Sequence, residues 1–121
     1  MKIQESAENY LEVIYTLHQQ TGHVRAIDIA SHLGYSKPSV SRAVKLLREN
    51  DYIFVSQGGQ ITLSEKGLVL AENIHERHTL LAKFLMKIGV SETVAFDDAC
   101  KMEHVISEES FTCLKAYLLE E

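Results

Sequence analysis

The sequence predicts a mainly α-helical protein: a winged helix-turn-helix with a small β-hairpin wing, followed by a helical metal-binding unit. Three observations carry this. A short apolar-periodic segment, a glycine and a serine-capped helix follow one another over residues 25–49. A Gly58-Gly59 pair then separates two short runs rich in β-branched and apolar residues. Further on, Cys100-Lys101-Met102-Glu103-His104 sets a thiol, a carboxyl and an imidazole at i, i+3 and i+4, one face of a helix.

Each element has its own signal. Over Glu5 to Gln20, Ala7, Tyr10, Leu11, Ile14, Tyr15 and Leu17 keep a helical period, and Thr21-Gly22 ends it. Arg25 to Leu33 forms a short helix expected to turn Ile27, Ile29, Ala30 and Leu33 inward, with Gly34 as the tight turn. Ser36 caps the next helix, and Pro38 sits in its first turn, where a missing N–H costs nothing. Val40, Ala43, Val44 and Leu47 form that helix's buried face, and Asn50-Asp51 breaks it. Ile53 to Val55 and Gln60 to Leu63 are expected strands, because a Gly-Gly pair accepts the positive φ of a tight hairpin. Ser64-Glu65-Lys66-Gly67 opens a long helix to about Ile88, with Leu68, Ile74, His78, Leu81, Phe84, Leu85 and Ile88 on its apolar face and Gly89 as its stop. Val94 to Ile106 is expected as one helix carrying the Cys-Glu-His set. Ser107-Glu108-Glu109 restarts a last one, with Phe111, Leu114, Leu118 and Leu119 inward. The expected division is 1–66 for the winged unit and 67–121 for the metal unit.

Composition narrows the class. The chain has 121 residues, is 45% apolar and carries a net charge of −5. It is long enough for one domain or two small ones, and no apolar run is long enough to cross a bilayer. No charged-then-apolar leader opens it, so a cytoplasmic protein without a membrane partner is expected. Its two cysteines, Cys100 and Cys113, are expected to stay reduced, with Cys113 in the core. The negative charge is unevenly spread. Residues 1–70 hold seven Lys/Arg and seven Asp/Glu, while residues 71–121 hold five against ten. The local field at a docking surface matters more than the total.

The helix Ser36 to Glu49 is the expected DNA reader, entering the major groove. Opposite its apolar stripe it offers Ser36, Lys37, Ser39, Ser41, Arg42 and Lys45. Arg42 has the fork to bind a guanine edge and the serines suit several base edges, while Lys37 and Lys45 suit phosphates and register. The alternative is a basic solvated helix on a winged-helix protein used for protein contact.

Cys100, Glu103 and His104 together form a mixed S/O/N ligand set for a transition metal. Each alone has an ordinary reading: a small buried hydrophobe, a surface acid and a satisfied histidine. Three ligands cannot fill a coordination sphere, so a second element must contribute. His78 is either a fourth ligand or a core histidine. Glu12, with Asn9 one turn before it, is either a ligand pair or the polar edge of the first helix. His75 is a solvated residue or a ligand of a second ion, and His18, His23 and His32 read as surface.

In these motifs the chain resembles the diphtheria toxin repressor family of bacterial metal-dependent regulators, which includes the manganese transport regulators. The resemblance covers nearly the whole chain. It rests on Tyr10-Leu11-Glu12 with Ile14-Tyr15, the helix pair over 27–49, Leu63-Ser64-Glu65-Lys66-Gly67, Arg77-His78 with Leu80, Leu81, Phe84 and Leu85, and above all Asp98-Ala99-Cys100-Lys101-Met102-Glu103-His104-Val105-Ile106-Ser107. It implies a winged-helix DNA-binding domain, a helical domain for metal binding and dimerisation, and a homodimer on a partly palindromic operator. Iron-type members carry a thiol at the position of Cys100 and manganese-type members a glutamate. Glu103 and His104 match both types, and Glu12 and His78 match manganese-type ligands. Position 9 departs from both, with Asn9 where iron types have Met and manganese types Asp. Ala82 and Phe96 replace residues of the iron-type ancillary site, and the chain ends before the SH3-like domain that many iron-type members carry.

The expected function is thus a metal-dependent transcriptional repressor, not an enzyme. Fe(II) is favoured by the thiol and Mn(II) is the alternative, with Co(II), Ni(II) or Zn(II) as substitutes in vitro. Its rivals are a metal-independent winged-helix regulator and a small metallohydrolase using Glu103 as base.

Overall fold

A computed structural model describes residues Glu5–Leu119, with side chains from Ala7 onward. The elements are α1 (Glu5–Thr21), α2 (Ala26–Leu33), α3 (Lys37–Glu49), β1 (Ile53–Val55), β2 (Ile61–Leu63), α4 (Glu65–Lys87), α5 (Glu92–Met102) and α6 (Glu108–Leu119). They form two compact units, Met1–Glu72 and Asn73–Glu121, and α4 runs through the division. Among the described residues, no helix is long and apolar enough to cross a membrane.

The first unit is a winged helix. Leu11 and Ile14 of α1, Ile29 of α2, Val40 and Leu47 of α3, and Ile53 and Ile61 of the hairpin fill its core. The turn between α2 and α3 is built by its residues. Gly34 adopts φ 70°, and its N–H closes α2 on the Ala30 carbonyl. Ser36 then caps α3, its Oγ accepting the Ser39 N–H at 3.3 Å. The wing is an antiparallel hairpin pairing Ile53 with Leu63 and Val55 with Ile61. Two ties hold it against the entry to α2. The Ile61 N–H donates to the Val24 carbonyl at 2.8 Å, and Arg25 Nη1 donates to the Gly58 carbonyl at 2.6 Å. Gly59 supplies the positive φ at the wing tip.

Gly67 explains the Ser-Glu-Lys-Gly motif. The Ser64 N–H donates to the Tyr52 carbonyl, Ser64 Oγ donates to the Asp51 carbonyl, and the same oxygen accepts the Gly67 N–H. This draws the first turn of α4 so close to the segment between α3 and β1 that a β-carbon at Gly67 would overlap the Tyr52 carbonyl oxygen.

The second unit packs Leu81 and Ala82 of α4 against Ala99 of α5, with Met86, Met102, Ile106 and Leu114 around them. Gly89, at φ 107°, ends α4. Lys115 of α6 is paired with Glu76 of α4 at 3.1 Å.

Several expectations need correction. Ile27 is 56% exposed, because α2 buries only the stripe through Ile29. Leu68, Ile88 and Leu119 are also exposed within the chain, and Cys113 lies on an exposed face of α6, not in the core. The helix expected over Val94 to Ile106 starts at Glu92 and stops at Met102. The Val105 N–H bonds only three residues back, to the Met102 carbonyl, where a continuing helix would use the Lys101 carbonyl, and this tightened turn ends the regular ladder.

Candidate metal centre and nucleic-acid interface

The early end of α5 changes how the thiol, carboxyl and imidazole converge. Cys100 sits in the last turn of α5. Glu103 is the C-cap, still right-handed at φ −60° and ψ −24°, and His104 lies in the turn beyond. The three therefore come from a helix C-terminus and its turn, not from one continuous helical face.

From α4, His78 meets them. A ring nitrogen of His78, the Cys100 Sγ and a Glu103 carboxylate oxygen all lie within 4.8 Å of one another. The His78 Nδ1 stands 3.0 Å from Glu103 Oε2, and the His104 Nε2 is 3.3 Å from Oε1. The Glu103 and His104 side chains are almost wholly buried, His78 is mostly buried, and Cys100 is exposed.

Glu103 Oε1 is buried without a hydrogen-bond partner, since the His104 contact lacks hydrogen-bond geometry. An ionised carboxylate oxygen taken from water and left unpartnered is expensive, by about 1–3 kcal/mol or more for a charged group. A divalent cation held by the His78 ring, the Cys100 Sγ and the Glu103 carboxylate would offset that cost. The donor set is the S/N/O mixture that transition metals take, so these residues fit a resident ion.

Asn9 and Glu12 lie three residues apart on α1 in the first unit, both half-buried. His18, His23, His32 and His75 are exposed.

On α3, the six residues singled out as DNA readers all lie away from its buried stripe. Ser36, Lys37, Ser41, Arg42 and Lys45 are exposed and Ser39 is half-buried. Ser36 Oγ donates to Ser39 Oγ at 2.9 Å, and Arg42 Nη2 reaches the same oxygen at 3.4 Å. The first turn of the helix is thus ordered around three polar side chains. A cleft beside it is lined by Tyr10, Tyr35, Ser36, Ser39 and Arg42. Burial, then the neighbouring Tyr35, raises the pKa of the Tyr10 phenol, and Arg42 partly offsets this. Tyr35 is not among the residues the sequence singles out, although an aromatic residue stands there between a turn glycine and a capping serine. Nor is Arg25, whose tie to the wing tip spans 33 residues and leaves no periodic trace.

A winged helix-turn-helix joined to a helical unit with a thiol–imidazole–carboxylate cluster defines a metal-responsive DNA-binding protein. Residues 2–59 match the family model described as the iron-dependent repressor N-terminal DNA binding domain. Residues 64–120 match the iron-dependent repressor metal binding and dimerisation domain. The chain belongs to this family, the diphtheria toxin repressor family of metal-dependent transcriptional regulators, which is not a class of enzymes.

It is 34% identical over 113 residues to the transcriptional regulator MntR of Escherichia coli O6:H1, covering 93% of this chain and 73% of that protein. The MntR of Salmonella typhimurium is also 34% identical, with 72% of its length covered. Among solved structures, the manganese regulator SloR superposes with a TM-score of 0.83 at 27% identity, over all of this chain and 56% of that one. A manganese-dependent transcriptional repressor in complex with manganese gives 0.83 at 28%, over 93% of this chain and 52% of the other. The chain thus spans about half the length of these structural relatives.

Proposed function

We propose that the protein is a transcriptional repressor that binds a partly palindromic operator as a homodimer when a divalent ion occupies the Cys100, Glu103, His104 and His78 cluster. The observation that carries this is the buried Glu103 carboxylate, which has one oxygen unpartnered, clusters with the His78 ring and the Cys100 thiol and has the His104 ring 3.3 Å from it. Glu12, with Asn9, is assigned to the same ligand set on the strength of the family resemblance.

When bound, the ion supplies positive charge against Glu103 and a thiolate bond at Cys100. The protein's residues do the rest. His78 orients the carboxylate, His104 closes its other side, and α3 presents Arg42 and the serines to base edges. Exposed Ile88, Val94, Val105, Tyr117 and Leu119 on the second unit support self-association. Two recognition helices held about one turn of DNA apart then match a palindrome.

The thiol favours Fe(II) as the ion. Mn(II) is the second reading, supported by structural relatives named as a manganese regulator and a manganese-dependent repressor and, through the family resemblance, by Glu12 and His78. Anaerobic gel shifts on genomic fragments, at buffered free Fe(II) and Mn(II), separate the two. Retardation at lower free Fe(II) favours the first and at lower free Mn(II) the second, while retardation indifferent to metal overturns both.

Arg42→Ala is expected to weaken operator binding by about 1–3 kcal/mol, as loss of a bidentate base contact does. Metal affinity should stay close to wild type. A calorimetric metal titration beside the gel shift checks both halves.

A further inference from the structure

Arg77, immediately before His78 on α4, is tied to the metal cluster through the backbone. Its Nη1 donates to the Glu103 carbonyl at 3.3 Å and to the Ile106 carbonyl at 3.1 Å. Its Nη2 donates to Glu108 Oε2 at 2.6 Å, at the first turn of α6. The guanidinium lies over the ring of Phe111, 5.3 Å from its centroid, and the Phe111 side chain is buried.

These bonds fall in the turn just past the end of α5. Carbonyls at and beyond a helix end have no N–H of the helix to accept from and need another donor. Here one guanidinium takes two carbonyls of the turn that carries Glu103 and His104. Consecutive residues of α4 thus hold Glu103 from both ends: Arg77 grips its main chain and His78 its carboxylate.

We propose that Arg77 is a positioning residue of the metal centre, fixing the Glu103–Ser107 turn so that the carboxylate and the His104 imidazole are already set when an ion arrives. This rests on the metal-dependent reading above. Electrostatics alone gives the opposite sign. A guanidinium bonded to a ligand residue's own carbonyl repels an incoming cation, so removing its charge would tighten metal binding. Only loss of preorganisation weakens it. The rigid fork also distinguishes arginine from lysine, whose ammonium keeps the charge but cannot bridge the same three acceptors in one plane.

Co(II) titration of the full chain, read by the thiolate-to-cobalt absorption in the near ultraviolet, tests this with wild type, Arg77→Lys, Arg77→Gln and Glu108→Gln. Both Arg77 variants are expected to bind Co(II) about 10–100-fold more weakly, the usual loss when a residue supporting a ligand is removed. Glu108→Gln, which keeps both carbonyl bonds, should stay close to wild type. If wild type itself shows no thiolate band, the metal reading falls. If wild type shows the band but Arg77→Lys matches it and Arg77→Gln binds tighter, Arg77 acts through charge and the proposal is overturned. Metal-free variants that fail to fold by circular dichroism also overturn it, because the residue would then serve the fold rather than the site.

Discussion

Glu103→Gln is expected to abolish the metal response while leaving the metal-free protein as stable as wild type or slightly more so. The two effects share one cause. The wild-type carboxylate is buried with one oxygen unpartnered, a cost the neutral amide reduces. The same carboxylate is the anionic donor of the cluster. At a free metal concentration 100-fold above Kd, wild type should gain about 2.7 kcal/mol of stability from binding. The variant should gain almost none. Thermal melts with and without Mn(II) or Co(II) read both effects in one experiment. A variant that loses stability without metal and keeps its metal-induced rise would place the ion elsewhere.

Gly67→Ala is the second large effect, and its sign decides between two physical terms. Inside a helix, replacing glycine by alanine normally stabilises by about 1 kcal/mol through propensity. Gly67 does not have a positive φ, so its backbone raises no objection. The objection is steric: the new β-carbon would overlap the Tyr52 carbonyl oxygen, an atom with no side-chain freedom to give way. Relieving the overlap means moving α4 away and stretching the Ser64 bonds to Asp51 and Tyr52. A net loss of about 3 kcal/mol is expected, at the upper end of ordinary overpacking costs. Urea unfolding checks it, and a stabilised variant would show that α4 does not approach Tyr52 so closely.

The winged-helix half was legible because its turns are made by residues with few other uses. Gly34, Ser36 and Pro38 mark one turn and Gly58-Gly59 the hairpin, and the structure uses them as the sequence suggests, although of the glycine pair Gly59 and not Gly58 takes the positive φ. Less legible were features made by the tertiary fold. The positive φ of Asp51 is a local cap on α3, with the Tyr52 N–H returning to the Leu47 carbonyl and the Asp51 N–H to the Arg48 carbonyl; what the tertiary fold adds is the bond that Ser64 Oγ donates to the Asp51 carbonyl. The tie between Val24 and Ile61 spans distant segments.

At the metal centre the residue types and their proximity were legible from the i, i+3, i+4 spacing, but the local conformation was not. No glycine or proline marks the end of α5 at Met102, so periodicity carried the expected helix through to Ile106. Arg77 takes the Glu103 and Ile106 carbonyls in a tertiary contact that periodicity does not encode. The exposure of Cys113 is hidden from the sequence for a similar reason. Helical spacing tells which residues share a face of α6 but not which face meets α4, and Phe111 and Leu114 took that place.

The central claim is that an ion bound by Cys100, Glu103, His104 and His78 sets the grip on DNA. Its most direct test is fluorescence anisotropy on a duplex enriched from genomic fragments, with the same protein first loaded with Mn(II) or Fe(II) under anaerobic conditions and then stripped with chelator. Stripping should weaken DNA binding by roughly 5–150-fold, the span of a coupling free energy of about 1–3 kcal/mol, and the duplex should tighten metal by the same factor. Equal DNA affinity with and without the ion would contradict the account.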